Sequence, residues 1–220
     1  MSQGTRERLL LTAMHLYGER GTHSVSLRAI SAAAGSKNSA AMHYHFKNKQ
    51  GIIEALVAFI FEHLNQIGRE QKLYQRIEKG VSLNEAIRLC LLPLSELARR
   101  FPWGNDAIKL MARLMHEADF DTGQAMARHS QRFYRDVDRY LARHLPGLDA
   151  ETRQLRMMFV ADNIFHGFAE KASLQHTPLG DLSDIAENAL LNQLVDYLAG
   201  GLQAGVNLQN TGEQHERAAL

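Results

Sequence analysis

The sequence predicts an all-α fold in two parts: an N-terminal three-helix unit built on a helix-turn-helix, and a larger C-terminal helical domain. Three observations lead there. Apolar residues recur at helical spacing in segment after segment, and no run alternates apolar and polar residues for long enough to make a strand. The stretch over residues 26–49, SLRAISAAAGSKNSAAMHYHFKNK, reads as two short helices about a glycine-containing turn.

Taken in order, Thr5 is placed to cap a first helix whose Leu9, Ala13, Leu16 and Tyr17 form one apolar stripe that stops at Gly21. Ser26 can cap a second helix over residues 27–34, because its hydroxyl accepts from N–H groups that the first turn leaves unpaired. Gly35 allows the left-handed conformation that ends it. A third helix begins near Asn38 or Ser39. It presents Ser39, His43, Tyr44 and His45 among Lys37, Asn38, Lys47, Asn48 and Lys49, while Ala40 and Ala41 keep its backbone slim. Such a surface fits a major groove about 12 Å wide, with phosphates on either side. Asn48 can cap a long fourth helix from Lys49. Its apolar residues, Ile52 to Leu64 with few breaks, lie on nearly every side, so it packs against both parts and can carry movement between them.

Beyond Gly80, Ser82 and Glu85 form a capping box. Pro93, about ten residues further on, is expected to kink or end that helix. Phe101-Pro102-Trp103-Gly104 is a loop whose aromatics need cover. Helices follow over about 105–116 and 123–144, then 150–174 and 184–202, the last two joined by HTPLGDLS. These two carry wider apolar faces than one small bundle can bury. The surplus points to a subunit interface through Phe159, Phe165, Leu194 and Leu198. The tail from Val206 has no apolar period and is expected to fray. The expected domain bounds are therefore 1–50, 51–205 and a tail over 206–220.

Composition narrows the partners. With 45% apolar and 22% charged residues the chain has a sizeable core. The run over residues 52–61 is broken by Glu54 and is too short to span a bilayer. Residues 1–8 hold no apolar signal region, and the lone Cys90, a buried small hydrophobe, has no partner for an internal disulfide. A cytoplasmic location is expected. The net charge of +1 is unevenly spread: residues 1–50 hold seven Lys or Arg against Glu7 and Glu19, a net +5, which leaves −4 for the remainder. A basic head on a mildly acidic body points to a polyanion partner for the head alone.

With these residues in view, residues 5–61 resemble the DNA-binding domain of the TetR/AcrR family of bacterial transcriptional repressors. The likeness is carried by RERLLLTAMHLYGERG, by SLRAISAAAG and above all by YHFKNKQGIIEAL. His43 stands where the family usually has a phosphate-binding Tyr, and the turn before it is one residue longer. The resemblance implies a homodimer formed by the last two helices, a palindromic operator, and release by a small effector. It carries phosphate contact to His45 and Lys49, and in weaker form to His43. Lys49 also lies at a helix N-terminus, where backbone N–H groups favour an anion. Ser26, Tyr44 and the base-reading candidates Lys37, Asn38 and Ser39 complete the DNA-binding set. Arg28 could reach a guanine edge or a phosphate.

For a mostly apolar effector the candidates are Phe101, Trp103, Met111, Met115, Phe133 and Tyr134, with His129 and His166 as polar points. The alternative is a helical apolar-ligand-binding protein or enzyme whose basic head does something else. No Gly-rich phosphate loop, G-x-S-x-G or H-E-x-x-H motif stands in the chain, so no catalytic residue and no cofactor is expected. Nor is a metal: among eleven histidines, His43 and His45 lie two apart and face different sides of a helix. His116, Glu117, Asp119 and Asp121 read as capping and turn groups.

Overall fold

The computed structural model describes residues 3–36, 40–117, 120–169 and 171–205. Its elements are helical in the order α1 (Gln3–Arg20), α2 (Leu27–Ala33), α3 (Ala40–Phe46), α4 (Lys49–Glu70), α5 (Leu73–Glu78), α6 (Leu83–Arg100), α7 (Gly104–His116), α8 (Phe120–His144), α9 (Ala150–Ala169) and α10 (Glu187–Gln203), with a 3-10 turn over Lys171–His176 before α10. The expectations placed on Lys37, Asn38 and Ser39 and on the tail from Val206 lie outside the described residues.

The local signals act where the sequence placed them. Ser26 accepts from the Ala29 N–H at 3.1 Å, Asn48 from the Gly51 N–H at 2.8 Å and Ser82 from the Glu85 N–H at 3.3 Å. Gly35 takes the left-handed φ of +66°. Glu85 does not complete the capping box, because its carboxylate is turned to Arg76 at 2.8 Å. Thr5 is no cap either: α1 begins two residues earlier and Thr5 lies inside it.

Pro93 neither ends nor divides α6, which runs on to Arg100. A proline inside a helix removes one hydrogen bond and crowds the preceding turn, at about 3 kcal/mol. Leu89, Leu91, Leu94 and Leu97 are all buried along α6. Each buried leucine contributes about 1.5–3 kcal/mol, so keeping that stripe aligned outweighs the defect. The last helices are shorter than expected: α9 stops at Ala169 and α10 starts at Glu187, with the 3-10 turn between.

One core cluster runs from Leu9 and Tyr17 in α1 through α4 to Leu198 and Leu202 in α10, so head and body are packed as one piece. α4 is the central strut, with Ile52, Leu56 and Ile60 inaccessible to solvent. The aromatics of the 101–104 loop are covered. Phe101 stacks on Trp103 at 4.7 Å, and Trp103 also meets Phe59 at 4.9 Å and His63 at 5.0 Å, both on α4. Gly104 is required there, because a Cβ would stand 2.1 Å from the Leu97 carbonyl oxygen.

Candidate nucleic-acid interface and effector cavity

The head's polar face is organised from α2, α3 and the first turn of α4. Arg28 is exposed on α2, and on α3 His43 and Tyr44 are exposed, Tyr44 at 78%. Met42 and Phe46 turn inward to the core, and the Arg6 guanidinium lies 5.3 Å over the Phe46 ring. Tyr44 meets the His45 ring edge-on at 5.0 Å. His43 Nδ1 is 2.9 Å from the Lys47 carbonyl oxygen, to which it donates. That bond holds the end of α3, where Lys47 itself takes a left-handed φ of +64°. With Nδ1 committed, the neutral ring offers only an acceptor at Nε2, so His43 can donate to a phosphate only as an imidazolium.

The corner between α3 and α4 is tight. A Cβ at Gly51 would stand 2.0 Å from the Phe46 carbonyl oxygen. Lys49, the first residue of α4, is thereby held next to the end of α3, beside backbone N–H groups that helical bonding leaves free. Ser26, Arg28, His43, Tyr44, His45 and Lys49 all lie on these three adjoining elements.

On the opposite side α1 is fastened to α7. The Arg113 guanidinium donates to the carbonyl oxygens of Gly18 at 2.5 Å and Glu19 at 3.0 Å, Lys109 pairs with Glu19 at 2.5 Å, and His15 meets Asp106 at 3.1 Å. A Cβ at Gly18 would stand 3.1 Å from the Asp106 carbonyl oxygen, so the helices approach closely. Tyr17 is wholly buried here and its hydroxyl has no hydrogen-bond partner among the described residues; burial first, then the Glu117 carboxylate, pushes its pKa up to about 12.

Two small apolar cavities lie in the larger domain. One, of about 110 Å³, is enclosed by Phe61, Leu64 and Gly68 of α4, Pro93 and Leu94 of α6, Phe133 and Tyr134 of α8, and Phe165 of α9. The other, of about 100 Å³, extends along α5, α6 and α8 toward Asp136, Arg139 and Arg143. They adjoin across Leu73, Tyr74, Cys90, Phe133 and Ile164, which line both. Burial pushes the Cys90 thiol up to about 12, so it meets the cavities as a neutral thiol.

Of the effector candidates, Phe133 and Tyr134 are at these walls, and Met115 lines a third, wider hollow of about 730 Å³ between α7, α8 and α9. Phe101 and Trp103 belong to the stack on α4, and Met111 is fully buried core. His129 stacks on Phe61 at 6.3 Å and lies 3.5 Å from Glu54. His166 is turned toward His116 and Asp162. Phe61, Leu64, Gly68, Tyr74 and Cys90 were not foreseen as cavity walls, because apolar groups at helical spacing carry no mark that separates cavity from core.

Residues 9–56 match the family described as bacterial regulatory proteins, tetR family, and residues 88–201 match that described as tetracyclin repressor-like, C-terminal domain. The chain belongs to the TetR family. It is a DNA-binding transcriptional regulator with a ligand-binding domain. No curated protein sequence matches it. Several solved TetR-family structures share its fold. A regulator from Bordetella parapertussis superposes with a TM-score of 0.61 at 14% identity, covering 90% of this chain and 95% of that one. The transcriptional regulator FadR of Bacillus subtilis, solved in complex with stearoyl-CoA, gives 0.59 at 17% identity, covering 89% and 98%. The ketosteroid regulator KstR2 of Mycobacterium tuberculosis gives 0.57 at 16% identity, covering 91% and 96%.

The last two helices bear much of the exposed apolar surface. Leu155, Met158 and Phe159 of α9 are 54%, 42% and 57% exposed, and Tyr197 of α10 is 68% exposed. Phe159 is thus open to a partner. Leu198 is buried within its own chain, Leu194 is half-buried, and Phe165 faces the cavity. No described helix is long and apolar enough to cross a membrane.

Proposed function

We propose that this chain is a homodimeric repressor of a two-fold symmetric operator, released when a mostly apolar ligand enters the adjoining cavities. One observation carries the reading: α4 starts at Lys49, beside the end of α3, and its Phe61, Leu64, Asn65 and Gly68 form a cavity wall. A ligand larger than the void it enters displaces the helix on which the head is set. A ligand shifts the equilibrium only by its differential affinity for the two head positions, and pushing α4 supplies such a difference.

Two small apolar cavities that adjoin one another suit an extended hydrocarbon chain better than a bulky ring system. At one end Arg143 stands beside the Arg139–Asp136 ion pair and Glu78 and offers a guanidinium to an anionic head, which favours a fatty acid or its coenzyme A thioester, the class held by the Bacillus subtilis relative. The homodimer uses the exposed face of Leu155, Met158, Phe159 and Tyr197, and Arg28, His45 and Lys49 hold phosphates. The test is a mobility shift of DNA from the chain's own promoter region, titrated with stearoyl-CoA and with palmitate. Retarded DNA that is freed by either compound supports the proposal. Absence of retardation at low salt would overturn the DNA role, and retardation that neither compound changes would overturn the assigned ligand class.

A further inference from the structure

The C-terminal end of α7 and the C-terminal half of α9 bring together three groups that neither the DNA interface nor the cavities use. His116 Nε2 lies 2.9 Å from Asp162 Oδ1, and His166 Nε2 lies 3.7 Å from the same oxygen. The three ligand atoms are all within 4.8 Å of one another, and the two imidazole rings are 4.8 Å apart. Asp162 and His166 are one turn apart on α9, so they share a face. His116 is the last residue of α7 and closes the triangle from the other helix.

A plain ion pair accounts for only part of this. The contact at 2.9 Å joins His116 and Asp162. His166 Nε2 is closed off from solvent and has no hydrogen-bond partner among the described residues, although the ring as a whole is partly exposed. A polar atom so placed costs free energy unless something meets it. A cation between the three groups would bind that nitrogen and both neighbours together. With zinc–nitrogen and zinc–oxygen bonds of about 2.0–2.2 Å, tetrahedral ligand atoms stand about 3.3 Å apart, and the two histidine–aspartate separations of 2.9 and 3.7 Å bracket that value.

We propose that His116, Asp162 and His166 form a binding site for a divalent transition metal, with zinc the reference ion. Two imidazoles and one carboxylate suit zinc, nickel or cobalt and disfavour magnesium or calcium, which prefer all-oxygen shells. Three protein ligands leave one position for water or a small anion. The ion ties the end of α7 to α9. The residue after His116 is Glu117, which holds Thr22 of the head. If the DNA-binding reading above is right, metal occupancy therefore also alters operator affinity.

The test is calorimetric titration of zinc into untagged, chelator-treated protein, repeated with cobalt to record its visible absorption. The expected result is one ion per chain, with binding weakened about 100-fold or more in His166→Gln and in Asp162→Asn, both checked for unchanged helicity. His15→Gln, at an exposed histidine on α1, should bind zinc as the parent does. Absence of binding in the parent, or equal binding in His166→Gln, overturns the site. A second arm measures promoter DNA retardation with and without zinc. Zinc-dependent affinity in the parent but not in His166→Gln supports the coupling, and zinc-independent affinity in both overturns it. A protein that takes up zinc but retards no DNA contradicts the DNA reading and leaves the metal site supported.

Discussion

Glu117, the first residue after α7, accepts from both the backbone N–H of Thr22, at 2.9 Å, and its hydroxyl. Thr22 is 1% exposed and lies in the turn between α1 and α2. Two buried donors of the DNA-binding head thus depend on one carboxylate of the larger domain. Glu117→Ala would leave both unpaired, and each unsatisfied buried group costs about 1–3 kcal/mol. The expected outcome in urea denaturation is a loss of about 2–4 kcal/mol, with Glu117→Gln intermediate because its amide can still accept one of the bonds. A loss below half a kilocalorie per mole for Glu117→Ala would show that water replaces the carboxylate.

Tyr17 is the opposite case, a buried hydroxyl with nothing described to bond. Tyr17→Phe removes that cost while keeping the ring in the core, so stability should be unchanged or rise by up to about 1 kcal/mol. Thermal denaturation is the measurement. A clear drop in Tm would reveal a partner for the hydroxyl.

Gly68 is buried in α4 at the cavity wall, and a Cβ there would have no atom within 4 Å. Replacing a mid-helix glycine by alanine gains about 0.5–1 kcal/mol from the unfolded chain's lost freedom. Gly68→Ala should therefore stabilise the apo protein. Gly68→Leu should occupy the cavity and abolish release by long-chain ligands in the mobility-shift assay. Undiminished release by Gly68→Leu would place the ligand elsewhere.

The Cys90 thiol is pushed up to about 12 by burial, whereas in the unfolded chain it titrates near about 8.5. The unfolded state therefore loses its proton first as the solution becomes alkaline. The contribution is intact below about pH 8.5 and is lost as pH rises toward 12. Tyr17, also raised to about 12, acts in the same direction above about pH 10. Cys90→Ala should flatten the decline in stability between these limits, and the parent thiol should resist alkylation at pH 8 until the protein unfolds. Rapid alkylation of folded protein would show that the cavities beside half-buried Cys90 admit reagent from solvent.

Lys49→Ala should weaken binding to all DNA sequences alike and reduce the salt slope by about one per subunit. A slope equal to the parent's would remove Lys49 from the phosphate contacts.

Much of the head was legible because its signals are local. Ser26, Gly35 and Asn48 act through neighbours one to three residues away, so side-chain chemistry alone fixes their roles. The helix through Pro93 was not legible, because its continuation depends on leucines buried by distant helices. Trp103 and Phe101 were read as pocket for the same reason. Aromatics in a loop look alike in sequence whether they stack on Phe59 or face a void. His116, Asp162 and His166 were missed as a group because two helices far apart in sequence must cross before the three can meet. The tautomer of His43 is likewise fixed by a carbonyl at Lys47 that only the left-handed turn brings within reach.

The contact of 2.0 Å that any Cβ at position 51 would make with the Phe46 carbonyl oxygen leaves the corner between α3 and α4 without play. α3 must then travel with α4, a rod of 22 residues, which at about 1.5 Å per residue is roughly 33 Å long. Adding one base pair between two half-sites moves the second by about 3.4 Å and turns it by about 34–36° around the DNA axis. A joint that cannot swivel has no means of following both displacements. Spacer length, more than the letters within each half-site, should then be the coordinate of an operator on which this protein tolerates least error.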